Sequence, residues 1–303
     1  MRAIIVTGSG ANGFAVAHLA DPEPAAGQVR IRMVAAAVNP ADLHILDGWG
    51  RDVAGISPER QMGLGLDVAG IVDMAAPDVR NLPVGTPVAA LTFPHASYSA
   101  AGAAAEYVIV PAADVAPVPD GIDLLDAATV PLNSLTADQL LARLGPARGR
   151  RMLVTGAAGG VGGYAVALAA LTGWAVTALA RPSDTEFLTR AGATKTISSL
   201  EGVTGFDAVM DGAKLNEAAL EAVRNHGMYA GVFPGREPKS ERGITIVSGV
   251  VVPDGHRLRE MLALTAQGKL EARRAGTVSL QNAAPAYQAL RDGGQRGRWV
   301  LTP

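Results

Sequence analysis

The chain has 303 residues, 49% hydrophobic and 18% charged, with a formal net charge of -2: too long for one ordinary core and too apolar for disorder. The absence of cysteine excludes disulfides, thiolate metal sites and cysteine nucleophiles. No clustered excess of Lys and Arg marks a nucleic-acid face, so a polyanion is not the expected partner.

From the N-terminus, MRAIIVTGSGANGF holds one basic residue and only a short apolar stretch, too little for a secretory signal, so a cytoplasmic protein is expected. Through about residue 120, short apolar segments (RAIIVTG, QVRIRMVAAAV, VAGIVDMA, TPVAAL, AEYVIVP) are punctuated by Pro and Gly. That rhythm predicts an irregular β-rich domain.

Residues 152–180 then form a run of 29 without a charged side chain, long enough to cross a bilayer. Its internal order argues against a span. Five glycines, at 156, 159, 160, 162 and 163, cluster at one end, and arginines flank both sides. MLVTG reads as a buried strand, GVGGYAVALAALTG as a helix of small apolar residues, and WAVTALA as a second buried strand.

The turn between the first strand and the helix has a physical use. Without Cβ atoms at Gly159, Gly160 and Gly162, the backbone can approach a diphosphate while the first helical N–H groups face it. The bend from Gly156 to Gly162 departs from G-x-G-x-x-G, because Ala157 stands in the first glycine position. After the second strand come Ala180, Arg181, Pro182 and Ser183. An acid that would bind the ribose hydroxyls of NAD is missing there, and the Arg181 guanidinium suits a 2'-phosphate, so the expected cofactor is NADP(H).

The alternation continues with a helix over 184–193, a strand at TKTIS, a strand over 206–212, a helix over 215–227 and a strand over 228–233. This is a doubly wound α/β domain. GITIVSGVVV (243–252) reads as a last, β-branched edge strand, which predicts cover from the same strand of a second subunit. Helices over 258–270 and 282–294 and a final strand, GRWVLTP, complete the chain.

VNPADLHILDG (38–48), GLDVAGIV (65–72), AEYVIVPA (105–112), ATVPLNSLTADQLL (128–141), LVTGAAGGVGGYAVALA (153–169), GFDAVMD (205–211) and RGRWVL near the end together resemble the medium-chain dehydrogenase/reductase superfamily. The match is to its zinc-independent quinone oxidoreductase branch, which includes zeta-crystallin. The resemblance implies a GroES-like β-rich catalytic domain, residues 1–120 completed by 257–303, with an NADP(H)-binding Rossmann domain, a doubly wound parallel sheet, inserted over 121–256. It also implies a homodimer or homotetramer. The places of the cysteine and the His-Glu pair of the zinc branch hold Asn39, Leu66 and Asp67, and His18, His44, His95, His226 and His256 are scattered without ligand spacing, so no metal is expected.

The resemblance sets Asn39 beside the nicotinamide ribose and substrate and Asp42 in the same wall. It sets Thr136, the backbone of Ala158 to Val161, Arg181, Ser183 and the strand-end loops at Gly212 and Phe233 against the cofactor. Without a Lewis acid the substrate must already be electron-poor, a quinone or an α,β-unsaturated carbonyl, and a donor must meet the charge that develops on its oxygen. His44, where the family often has tyrosine, carries an imidazole, a group that when unperturbed titrates at about 6.5, and suits that donor; positioning or plain surface exposure explains it equally, and water is the other proton source. Trp49, His95 and Tyr98 lie in loops that line the substrate side or simply pack. Asp67 either serves the site or only fixes its turn.

The expected activity is therefore NADPH-dependent reduction of quinones or activated alkenes. A pathway-specific enoyl reductase and a non-catalytic NADPH-binding sensor or structural protein are the alternatives.

Overall fold

The computed structural model describes residues 1–8, 13–48, 61–93 and 101–303. Trp49, His95 and Tyr98 lie outside the described residues. In chain order come β1 (Arg2–Val6), β2 (Phe14–His18), β3 (Gln28–Ala37), α1 (Pro40–Leu46), β4 (Asp67–Ala75), β5 (Pro87–Leu91), β6 (Tyr107–Pro111), β7 (Val115–Pro117), α2 (Leu124–Ala127) and α3 (Pro131–Arg143). Then follow β8 (Arg151–Thr155), α4 (Gly160–Leu171), β9 (Ala175–Leu179), α5 (Thr185–Arg190), β10 (Lys195–Ile197), β11 (Phe206–Asp211), α6 (Glu217–Glu221), β12 (Val223–Gly231) and β13 (Thr245–Val247). The chain closes with α7 (Gly255–Ala266), β14 (Arg274–Ser279), α8 (Ala284–Asp292) and β15 (Arg298–Thr302).

Two compact units result: Met1–Leu132 with Pro253–Ala266 and Ala272–Pro303, and Asn133–Val252 with Gln267–Glu271. Residues 121–132, which the sequence reading assigns to the second domain, belong to the first. The reason is packing: α2 lies on β3, β4 and β5, and the Leu132 amide bonds to Asp67.

In the first unit, β1 and β2 form an antiparallel pair, and a larger sheet runs β14-β15-β3-β4-β5-β7 with β6 also on β3. Along β3 the side chains alternate, burying Val29, Ile31 and Met33 and turning Arg30 and Arg32 outward, as a sheet with one core face requires. The last strand, β15, returns to pair with β3 through Val300 and Leu301. That pairing brings the C-terminus to the start of α1.

The second unit is a parallel sheet in the order β10-β9-β8-β11-β12-β13. It is doubly wound: the strand order reverses between β8 and β11. Leu153, Phe206, Val209, Leu220, Val223, Tyr229 and Ile244 make one of its buried clusters. The long uncharged run is β8, α4 and β9, and among the described residues no helix is long and apolar enough to cross a membrane.

Two elements differ from the sequence reading. The helix expected over 215–227 stops at Glu221, and β12 already starts at Val223, because the Arg242 guanidinium donates to the carbonyls of Leu220 and Val223 and His226 takes a left-handed φ of 56°. The strand expected over 243–252 is confined to Thr245–Val247. Beyond it, α3 supplies the hydrogen bonds: Arg143 donates to the Ser248 carbonyl, and the Gln139 amide pairs with both backbone groups of Val252.

Candidate active site: a buried polar core and a glycine turn

In the first unit, Pro40 opens α1 and Asn39 caps it in an extended conformation. At the third helical position, Asp42 turns its carboxylate back to accept from the Asn39 amide at 2.7 Å and from the Gly65 amide at 2.8 Å. The Asn39 side chain is used at both ends. Its Nδ2 donates to Asp67 Oδ2 at 2.8 Å, and its Oδ1 accepts from Arg298 Nε at 3.0 Å. Asp67 Oδ1 in turn accepts from the Leu132 amide at 2.7 Å.

Asn39, Asp42 and Asp67 are fully buried. Burial pushes the Asp42 carboxyl up to about 7, against the pull of the two amides and the Arg298 charge. It pushes Asp67 up to about 7 as well, opposed by the Leu132 and Asn39 donors. Tyr287 packs beside Phe14 at 4.8 Å between ring centroids, its hydroxyl buried without a hydrogen-bond partner among the described residues.

The structure therefore brings Asn39, Asp42 and Asp67 into one network and adds Arg298, which the sequence reading did not single out. An arginine within an otherwise apolar last strand was the available signal. His44 stands half-buried in the last turn of the same helix. Among the described residues no group of three or more His, Cys, Asp or Glu could hold a metal ion.

The second unit holds the glycine turn. β8 ends at Thr155, and Gly156 takes the left-handed φ of 57° that starts the bend. Gly159 caps α4 in an extended conformation, and the first bond within the helix runs from the Gly163 amide to the Gly159 carbonyl at 3.0 Å. The amides of Gly160, Val161 and Gly162 consequently have no acceptor in their own helix. A Cβ at Gly162 would lie 2.2 Å from the Gly156 carbonyl oxygen, so helix and strand touch backbone to backbone. This is an arrangement that can hold a phosphate on backbone donors.

The Ala157 amide reaches the Leu179 carbonyl at 3.3 Å, tying the bend to the end of β9. Two residues on, Arg181 is exposed, with no carboxylate partner among the described residues, and Ser183 is exposed beside it. Thr136 lies half-buried on α3. Gly212 approaches the bend, where a Cβ on Gly156 would meet its carbonyl carbon at 2.9 Å.

Beyond Gly212 lies a second polar cluster that sequence reading missed, although an acid closing an apolar strand hinted at it. Asp211 Oδ2 accepts from the Tyr229 hydroxyl at 2.8 Å and from the Asn216 amide at 2.8 Å, and Asp211 Oδ1 accepts from Thr155 Oγ1. Thr155 Oγ1 accepts from the Ala213 amide at 3.1 Å. Burial and the Asp211 carboxylate raise the Tyr229 hydroxyl far above its ordinary range. Next along the loop, Lys214 sets its ammonium 4.7 Å from the centroid of the Phe233 ring, and desolvation lowers its pKa.

Residues 25–120 match the alcohol dehydrogenase GroES-like domain, and residues 191–301 match the zinc-binding dehydrogenase family. A chloroplastic quinone-oxidoreductase homolog of Spinacia oleracea is 31% identical over 231 residues, 70% of this chain and 68% of that protein. The quinone oxidoreductase of Coxiella burnetii superposes with a TM-score of 0.90 at 25% identity, over 100% of this chain and 99% of that one. A mycobacterial protein solved in complex with NADPH has a TM-score of 0.82 at 25% identity, over 100% of both chains.

Proposed function

The chain belongs to the medium-chain dehydrogenase/reductase family, in its quinone oxidoreductase branch, and from this we propose that it is an NADPH-dependent reductase of quinones or other activated alkenes that works without a metal. The observation that carries the reading is the glycine bend, whose helix start offers backbone donors and whose Ala157 amide is tied to the strand end that leads into Arg181.

In this reading the backbone of Gly156 and of Ala158, Gly159, Gly160 and Val161 holds the diphosphate, and Arg181 and Ser183 hold the 2'-phosphate. Thr136, Gly212 and Phe233 contribute further cofactor contacts. The bound cofactor supplies a hydride. An acceptor already short of electrons takes it without a Lewis acid, and charge then builds on the acceptor oxygen.

Asn39, Asp42, Asp67 and Arg298 fix the start of α1, and with it the direction of His44. His44 or water delivers the proton to the acceptor oxygen. The metal-free part of the reading rests on Asp67, whose two oxygens are already engaged by an amide and by Asn39, and on the lack of cysteine in the chain. Val250 and Val252, 44% and 59% exposed just past β13, support a second copy of the chain along that edge.

The test is a titration with NADPH and NADH, followed by steady-state oxidation of the preferred form with quinones and enones in the presence of a metal chelator. Saturable NADPH binding, chelator-insensitive turnover and at least tenfold weaker NADH binding are expected. Replacing Arg181 with Ala should erase that preference by weakening NADPH alone, roughly ten- to a hundredfold for a lost charge-assisted contact. Equal affinity for both cofactors in the wild type removes the role given to Arg181, and absence of turnover on every acceptor removes the enzyme.

A further inference from the structure

The loop after β11 is held more firmly than a connection needs to be. The Ala213 amide is pinned to Thr155 and the Asn216 amide to Asp211, itself bonded by Tyr229. Between these pins stands Lys214, with a left-handed φ of 59°, followed by Asn216 at 51°. Non-glycine residues in that region are uncommon and persist where their surroundings impose them. The conformation sends the ammonium over the Phe233 ring, at 4.7 Å. Lys214 follows β11 by three residues, Phe233 follows β12 by two, and those strands pair through Asp211 and Gly231. The two side chains thus form a fixed cation at the carboxyl ends of neighbouring strands.

The sheet order gives this cation a place relative to the cofactor. A dinucleotide lies across the carboxyl ends of such a sheet with one nucleotide on each side of the reversal, here between β8 and β11. On the NADP(H) reading, from which this inference proceeds, Arg181 after β9 takes the phosphorylated adenosine. The nicotinamide nucleotide then falls to the side of β11 and β12. We propose that Lys214 is a specificity-determining residue that favours the reduced cofactor over the oxidised one. Oxidised nicotinamide carries a positive ring and reduced nicotinamide is neutral, so a nearby fixed ammonium repels only the first. Such repulsion in a partly desolvated site shifts an equilibrium by roughly tenfold. The consequence is release of spent NADP⁺ and a bias toward reduction of the acceptor.

The experiment measures dissociation constants for NADPH and NADP⁺ by fluorescence and calorimetry in the wild type, Lys214→Met and Lys214→Arg. Methionine keeps the apolar contact with Phe233 and removes the charge; arginine restores the charge. The ratio of the NADP⁺ constant to the NADPH constant should fall roughly tenfold in Lys214→Met, mainly through tighter NADP⁺ binding, and return toward the wild-type value in Lys214→Arg. An unchanged ratio, or equal weakening of both forms as expected of a phosphate contact, overturns the proposal and leaves the cofactor reading intact. A wild type that binds neither form overturns that reading itself.

Discussion

Arg298 Nε donates to Asn39 Oδ1 at 3.0 Å across 259 positions of the chain. The contact joins the last strand to the cap of α1, beside two buried carboxyls. It is the cationic member of a network whose other side chains are an amide and two acids. Arg298→Met keeps much of the aliphatic length and removes the charge, leaving Asn39 without its donor and the acids without the neighbouring cation. Loss of a charged hydrogen bond of this kind costs about 2 kcal/mol. Urea unfolding of the two proteins measures it, and a difference below about 0.5 kcal/mol would show that the network is not coupled to Arg298.

The same network makes stability depend on pH. Asp42 and Asp67, raised from 3.8 to about 7, bind a proton more tightly folded than unfolded. The stability they contribute is complete below about pH 4 and is lost as the pH rises through about 7. The melting temperature should accordingly fall across that window. Asp67→Asn, which cannot ionise, should lower the melting temperature at pH 5 by disturbing the Leu132 and Asn39 bonds and also flatten its dependence on pH. A wild-type melting temperature that climbs from pH 4 to 7 contradicts the direction of these shifts.

At the glycine turn, Gly162→Ala tests whether the helix needs a bare backbone. In an ordinary helix interior this change stabilises by about 1 kcal/mol. Here the added methyl lies 2.2 Å from the Gly156 carbonyl oxygen, a backbone atom that cannot swing aside. Overpacking of this sort costs about 1 to 3 kcal/mol and should move α4 off the strand, weakening NADPH binding. Denaturation and cofactor titration read the two effects separately; a stabilised variant with unchanged affinity would contradict the close approach.

His44 is separable from the scaffold that holds it. His44→Gln should leave NADPH affinity unchanged while lowering kcat about a hundredfold, the usual contribution of a positioned acid. Loss of the alkaline limb of the pH–rate profile, where a required acid gives up its proton, should accompany it. Full kcat in this variant assigns the proton to solvent.

Much of the second unit was legible in the chain itself. Buried parallel strands are apolar on both faces, and a glycine bend followed by a small-residue helix leaves few alternatives, so β8, α4 and β9 fall within one or two residues of their expected bounds. The reading failed where a distant side chain decided the outcome. Nothing local to residues 215–227 says that Arg242 will end α6, and nothing local to residues 248–252 says that Arg143 and Gln139 will take up that backbone.

The candidate residues divide the same way. Local sequence determined that a glycine bend follows an apolar strand and that Arg181 replaces an acid at the end of the next one, because turns and strand ends are set by neighbours along the chain, whereas the helix that Asn39 caps and Asp42 helps to open was not read from it. Only the tertiary structure decided that Asn39 spans Asp67 and Arg298, that Leu132 closes the network, and that Lys214 is clamped over Phe233. Those partners lie tens to hundreds of positions apart, and burial, which makes a hydrogen bond or a charge consequential, exists only after the sheets have formed.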